Sequence, residues 1–143
     1  MVLSMTDSSD NASELSDQEL EALHQIFDLA REGQTQQLAA VLDQGVPVNL
    51  TDPKGDTLLI LGAYREHPDV VALLLERGAD VDRLNDRGQT ALASAIFRNN
   101  REIADALLDA GADPSLGSQS AGAIAEFFDI DDMKALLRER GIL

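Results

Sequence analysis

Cysteine is absent from the 143 residues, and so is tryptophan. Without thiols the chain has no disulfide, no thiol nucleophile and no thiolate metal site. That absence does not define the cell compartment. Aromatic residues make up only 3%, one Tyr and four Phe, which suits an aliphatic core between closely packed helices. Positive charge is scarce as well: 11 Lys and Arg stand against 26 Asp and Glu, a formal net charge of −15. Such a field repels phosphate and argues against general nucleic-acid or anionic-membrane binding. Its plain consequence is solubility. No stretch is apolar enough to span a bilayer. The opening MVLSMTDSSDNASEL has neither a basic nor an apolar segment, so no secretion signal is read and a cytoplasmic location is expected.

What is present is a 44% hydrophobic content, enough for one domain with a sizeable core, and a self-match at 33 residues. At that offset Gly55 falls on Gly88, Thr57 on Thr90, Leu59 on Leu92 and Arg65 on Arg98. Leu74-Leu75 falls on Leu107-Leu108, and Gly78-Ala79-Asp80 on Gly111-Ala112-Asp113. A fixed period of this size marks a stacked repeat array, whose function resides in a surface.

Residues 1–16 are rich in Ser, Asp and Asn and read as a disordered tail, with Met1 and Met5 both available as starts. Asn11-Ala12-Ser13 and Asn49-Leu50-Thr51 fit the glycosylation pattern, which carries little weight without a secretion signal. The repeat domain is expected over 17–143, with repeats at about 17–51, 52–84, 85–117 and 118–143. Ser16 and Glu19 form the pattern of a capping box ahead of a long first helix closed by Gly33. Thr57 and Thr90 are candidate N-caps. Pro68 suits the first turn of a helix, and Gly78 and Gly111 suit the C′ position. In the last segment Met133 and Gly141 follow Ile103 and Gly111 by 30 residues, which places a deletion in the turn near Gly117–Ser120. Lys134, Arg138 and Arg140 give the final helix a polar face suited to the end of a stack.

No catalytic constellation is found, and no metal or cofactor site. His24 and His67 lie in different repeats, without a thiol or an HExxH spacing to complete a zinc site. His67 reads as the residue closing the turn before a second helix. The run Asp129-Ile130-Asp131-Asp132 lacks the Gly and the terminal Glu of a calcium loop, and reads as a cap on the last helix. There is no phosphate-cradling glycine loop and no GxSxG.

The segments Gly55-Asp56-Thr57-Leu58-Leu59 and Gly88-Gln89-Thr90-Ala91-Leu92, each followed by Leu-Leu and Gly-Ala-Asp, resemble the ankyrin-repeat family. The resemblance runs from about residue 17 to the end, is strongest over 52–116, and is closest to small bacterial members. It implies an all-α solenoid of about four helix–turn–helix repeats with β-turn connections, a concave face, and atypical terminal repeats that cap the stack. It also implies a protein-binding adaptor or regulator, a monomer by itself and not an enzyme. Some bacterial members are linked to catalases, so a role as accessory to such an enzyme is one alternative. The family's Thr-Pro-Leu-His stands here as Thr57-Leu58-Leu59-Ile60 and Thr90-Ala91-Leu92-Ala93, without the Pro or the His. That His bonds between neighbouring repeats, so its loss predicts an array held more by packing than by polar ties. The family's Gly-His between helices is Glu66-His67 and Asn99-Asn100.

Partners of this family mostly contact the turn tips and the exposed ends of the first helices. Carried over position by position, the tips are Pro53, Lys54 and Asp56, then Asp86, Arg87 and Gln89. The helix ends are Arg31-Glu32, Tyr64-Arg65 and Phe97-Arg98. Five of the 11 basic residues (Arg31, Lys54, Arg65, Arg87 and Arg98) thus map to one face, joined by the single Tyr and one Phe. Arg beside an exposed aromatic offers large contact area and bidentate pairing with carboxylates. The expectation is a basic, partly aromatic groove for an acidic segment or face of a protein. Charge reversal of Arg65 and Arg98 together is expected to abolish binding without unfolding. A nucleic acid lying on the same basic stripe is the alternative that the net charge opposes.

Overall fold

The structure, a computed structural model, describes residues 16–143. The tail reading before Ser16, the two candidate starts and the Asn11 pattern lie outside the described residues. Eight helices follow in pairs. One row is α1 (Asp17–Glu32), α3 (Leu58–Tyr64), α5 (Ala91–Phe97) and α7 (Ala121–Phe127). The other is α2 (Thr35–Asp43), α4 (Pro68–Glu76), α6 (Arg101–Asp109) and α8 (Asp131–Glu139). Each helix packs on its pair mate and on the next helix of its own row, which is the expected all-α solenoid.

The central first-row helices, α3 and α5, are short and almost wholly apolar because they are enclosed. Leu58 to Ala63 and Ala91 to Ile96 are buried at every position. Neighbours on both sides and the pair mate behind leave no face that needs polar residues. Gly62 allows a close approach of α3 to α4: a Cβ there would stand 2.8 Å from Val70 Cγ1. The second row is amphipathic and turns Val70, Val71, Leu74, Ile103, Leu107, Met133 and Leu137 inward. Each such fully buried side chain stabilises the fold by about 1.5–3 kcal/mol. Only the C-terminal half of α1 is buried, through Ile26, Phe27 and Ala30. Leu20, in phase with them, lies exposed, because the seven residues of α3 cannot cover all 16 of α1.

Local chemistry sets the helix ends. Ser16 and Glu19 form a reciprocal capping box. Thr57, Thr90 and Ser120 accept the third backbone N–H of α3, α5 and α7. Pro68 opens α4, and Gly78 and Gly111 follow the C-caps of α4 and α6 with φ of 81° and 95°. The turn inside each pair has one left-handed residue: Gly33, Glu66 (62°), Asn99 (57°) and Asp129 (53°). Only the first of these is free of a Cβ penalty there. The N-cap of α8 falls on Ile130, whose side chain makes no cap bond; Asp131 and Asp132 sit in the first turn, where they complement the helix dipole.

Two buried side chains build the turns ahead of α3 and α5. Asp52 accepts from the N–H groups of Lys54 and Asp56, and Asn85 from those of Arg87 and Gln89, all at 2.9 Å. Residues 77–90 join α4 to α5, but only residues 110–120 join α6 to α7. The shorter turn has no counterpart of Asn85. It stays docked because Ser118 N–H donates to the Gly88 carbonyl at 2.9 Å.

The expectation of few polar ties between repeats is corrected. His67 Nε2 donates to the Arg31 carbonyl at 2.7 Å, and Asn85 Nδ2 donates to Asp56 Oδ1 at 2.8 Å. Asn49 accepts from the Asp80 N–H and Asp82 from that of Asp113. Glu66 accepts from Arg98 and Asn100, Glu139 from Arg101, and Asp105 and Asp109 from Arg140. The ties have moved to the turns and outer edges, where their cost of desolvation is lower.

Candidate interaction groove

The ends of the first-row helices and the turn tips face each other across an open groove of about 490 Å³. Leu61, Ala93, Ser94 and Ile124 contribute to its floor, and Lys54, Arg65 and Arg87 to its walls. Arg31, Asp56, Tyr64, Gln89 and Phe97 line it as well. Eight of the twelve residues singled out in the sequence therefore share one depression, and Glu32 is not among its lining residues. Pro53 lies in a smaller neighbouring hollow with His24 and Phe27. Asp86 stands against Gly55 and donates its N–H to the Lys54 carbonyl.

The cations of this face fall into two groups. Arg31 is paired with Asp28 at 2.8 Å and with the buried carboxylate of Asp52 at 3.4 Å. Arg98 is outside the groove wall. It donates from Nε and Nη2 to Glu66 and lies over the Tyr64 ring. It is a tie between repeats, so charge reversal of Arg98 would set two carboxylates against each other and disturb the stack. Lys54, Arg65 and Arg87, by contrast, have no ion pair among the described residues. The carboxylate of Asp56 is held by Asn85.

Groups with shifted pKa values lie away from the groove wall. Hydrogen bonds from Lys134 hold the Asp129 carboxyl below its ordinary value, and Lys134 is raised in return. Ser115 lowers Asp113 through its side chain and its backbone. Arg101 is raised by Glu139, and Arg140 by Asp109 and Asp105. Among the described residues no group of three or more His, Asp or Glu could hold a metal ion.

Sequence reasoning missed Phe127 and Phe128. Phe128 lines the groove, and its ring meets Phe97 edge-on at 5.2 Å and Phe127 at 4.9 Å. The signal was available: the 30-residue offset that maps Ile103 to Met133 also maps Phe97-Arg98 to Phe127-Phe128. Asp52 and Asn85 were missed too, because their importance is burial at 8% exposure, which a polar residue in a turn does not announce.

A family model for ankyrin repeats, three copies long, matches residues 26–117. The chain belongs to the ankyrin-repeat family. The match spans the stack from the second half of α1 to the turn before α7. A curated relative in Pseudomonas aeruginosa, named as an ankyrin repeat protein, is 48% identical over 69 residues. Those residues are 48% of this chain and 39% of the relative, so the similarity spans well under half of that protein. Ankyrin repeats are in general protein–protein interaction modules. No helix of the described residues is long and apolar enough to cross a membrane.

Proposed function

We propose that this ankyrin-repeat chain is a binding module, formed by residues 17–143, that holds an acidic segment or face of a partner protein in its concave groove. The reading rests on Lys54, Arg65 and Arg87. In a chain of net charge −15, three cations with no ion pair among the described residues converge on one open groove. Their own acids elsewhere on the surface do not neutralise them, so a partner's carboxylates can. Partner identity follows from capture, with the full chain and its Lys54→Glu/Arg65→Glu/Arg87→Glu variant immobilised side by side. A protein retained from source-cell lysate by the native chain and lost by the variant is the expected result. Equal retention by both, with the variant folded by circular dichroism, overturns the groove. Retained nucleic acid that dissociates steeply with salt would replace the protein reading.

A further inference from the structure

Two basic positions that recur in the central repeats are not basic in the last repeat. Lys54 and Arg87 occupy equivalent turn positions, and the 30-residue offset puts Gly117 at the next. Arg65 and Arg98 are likewise equivalent, and Phe128 follows them. Beside it Phe127, the last residue of α7, is 74% exposed, the most of any large hydrophobic side chain among the described residues. The α6–α7 turn, residues 110–120, is shorter than the α4–α5 turn, residues 77–90. The groove therefore changes character, from cations without an ion pair among the described residues to Phe97 and Phe128 in its lining, with Phe127 packed on Phe128 beyond that lining as an open aromatic ledge.

An edge-to-face cluster is a preset apolar surface. Its rings hold one another in place, so little side-chain freedom remains to be lost on contact. Exposed phenylalanine is unfavourable in water, and covering it is a source of binding energy that charge pairing at an exposed groove does not supply.

We infer that the partner segment is bipartite and docks in one direction, with an apolar anchor on the Phe127–Phe128 ledge and acidic residues over Arg87, Arg65 and Lys54. This rests on the proposed binding of an acidic protein segment in the groove, and adds to it the anchor and the polarity. The direction follows from the fixed order of the two chemistries along the stack.

The test uses a random 16-residue peptide library displayed on phage and selected on the full chain. Affinities of the enriched peptides are then measured for the native chain, Phe127→Ala/Phe128→Ala and the triple charge reversal. The expected consensus has an apolar residue at a fixed distance to one side of an acidic cluster. Phe127→Ala/Phe128→Ala should weaken binding about tenfold or more, and the triple reversal should abolish it. A paramagnetic label at the apolar end should broaden signals of α7, and one at the acidic end those near Lys54. Acidic peptides without an anchor, indifferent to Phe127→Ala/Phe128→Ala but lost on the triple reversal, overturn the ledge and leave the groove intact. Peptides indifferent to the triple reversal, or no enrichment, overturn both. Concentration-dependent dimerisation of the native chain that Phe127→Ala/Phe128→Ala abolishes would make the ledge a self-contact and equally overturn the inference.

Discussion

Arg98 lies over the ring of Tyr64, its guanidinium carbon 5.1 Å from the ring centroid, while two of its nitrogens donate to Glu66 at 3.2 and 2.8 Å. One cation thus fastens the end of α5 to the end of α3. Arg65, at the equivalent position one repeat earlier, lines the groove without an ion pair among the described residues. The same residue type at the same repeat position therefore stands in two settings, one paired across repeats and one exposed at the groove.

That difference separates stability from binding. Arg98→Ala should lower unfolding free energy in urea by about 1 kcal/mol, the sum of a screened ion pair and a cation–π contact. Arg65→Ala should leave stability unchanged within about 0.5 kcal/mol and weaken partner binding. Equal effects of the two on stability would remove the distinction.

Glu66 and Asn99 both hold left-handed backbone, but only Glu66 receives side-chain bonds from the next repeat, from Arg98 and Asn100. Asn99→Gly should stabilise by about 0.5 kcal/mol, since glycine relieves the strain and no such tie is lost. Glu66→Gly should give a net change near zero, and should become stabilising by about 0.5 kcal/mol once Arg98→Ala has removed the ion pair and only the Asn100 bond remains. A Glu66→Gly effect that is the same with and without Arg98 would show that the tie contributes nothing.

Met133 is fully buried where α8 packs on α6 and α7. Met133→Ala should cost about 2–5 kcal/mol locally, and in a nearest-neighbour array the loss should concentrate in the last repeat. Hydrogen exchange should then quicken across α7 and α8 while α3 to α5 keep their protection. Uniform acceleration along the whole chain would mean that the array unfolds as one unit.

Asp129 and Lys134 set a pH window. The Asp129 carboxyl is depressed below 3.8, so its contribution is present above that value and is lost as pH falls through the lower folded value. Lys134 is raised above 10.5, so its contribution is present below that value and is lost as pH rises through the higher folded value. The melting-temperature difference between the native chain and Asp129→Asn should be level at neutral pH and shrink at both extremes. Asn accepts left-handed backbone as Asp does, so the comparison isolates the charge. A difference that persists at pH 2 would place the effect in the backbone.

The 33-residue period, the caps at Ser16, Thr57 and Thr90 and the Gly78 and Gly111 stops were legible in the sequence. Each depends on residues within one turn of each other or on a strict repeat of apolar positions. The face that collects Lys54, Arg65 and Arg87 was legible as well, because equivalent positions of a linear array must stack. The polar ties were not legible, since residues such as Glu66 and Arg98 are 32 positions apart and pair through side-chain directions that no local pattern encodes.

The sequence by itself determined that this chain stacks helix pairs into a solenoid, with Lys54, Arg65 and Arg87 on one face of it. Periodicity and capping act locally, and an aliphatic pattern with few aromatics leaves close helix packing as the way to bury the core. Only the tertiary structure decided which basic residues are paired within the fold and which have no ion pair among the described residues. Charge pairing depends on distances of a few ångströms between neighbouring repeats, and there Glu66 claims Arg98, Asp52 claims Arg31, and Lys54, Arg65 and Arg87 are left facing the groove.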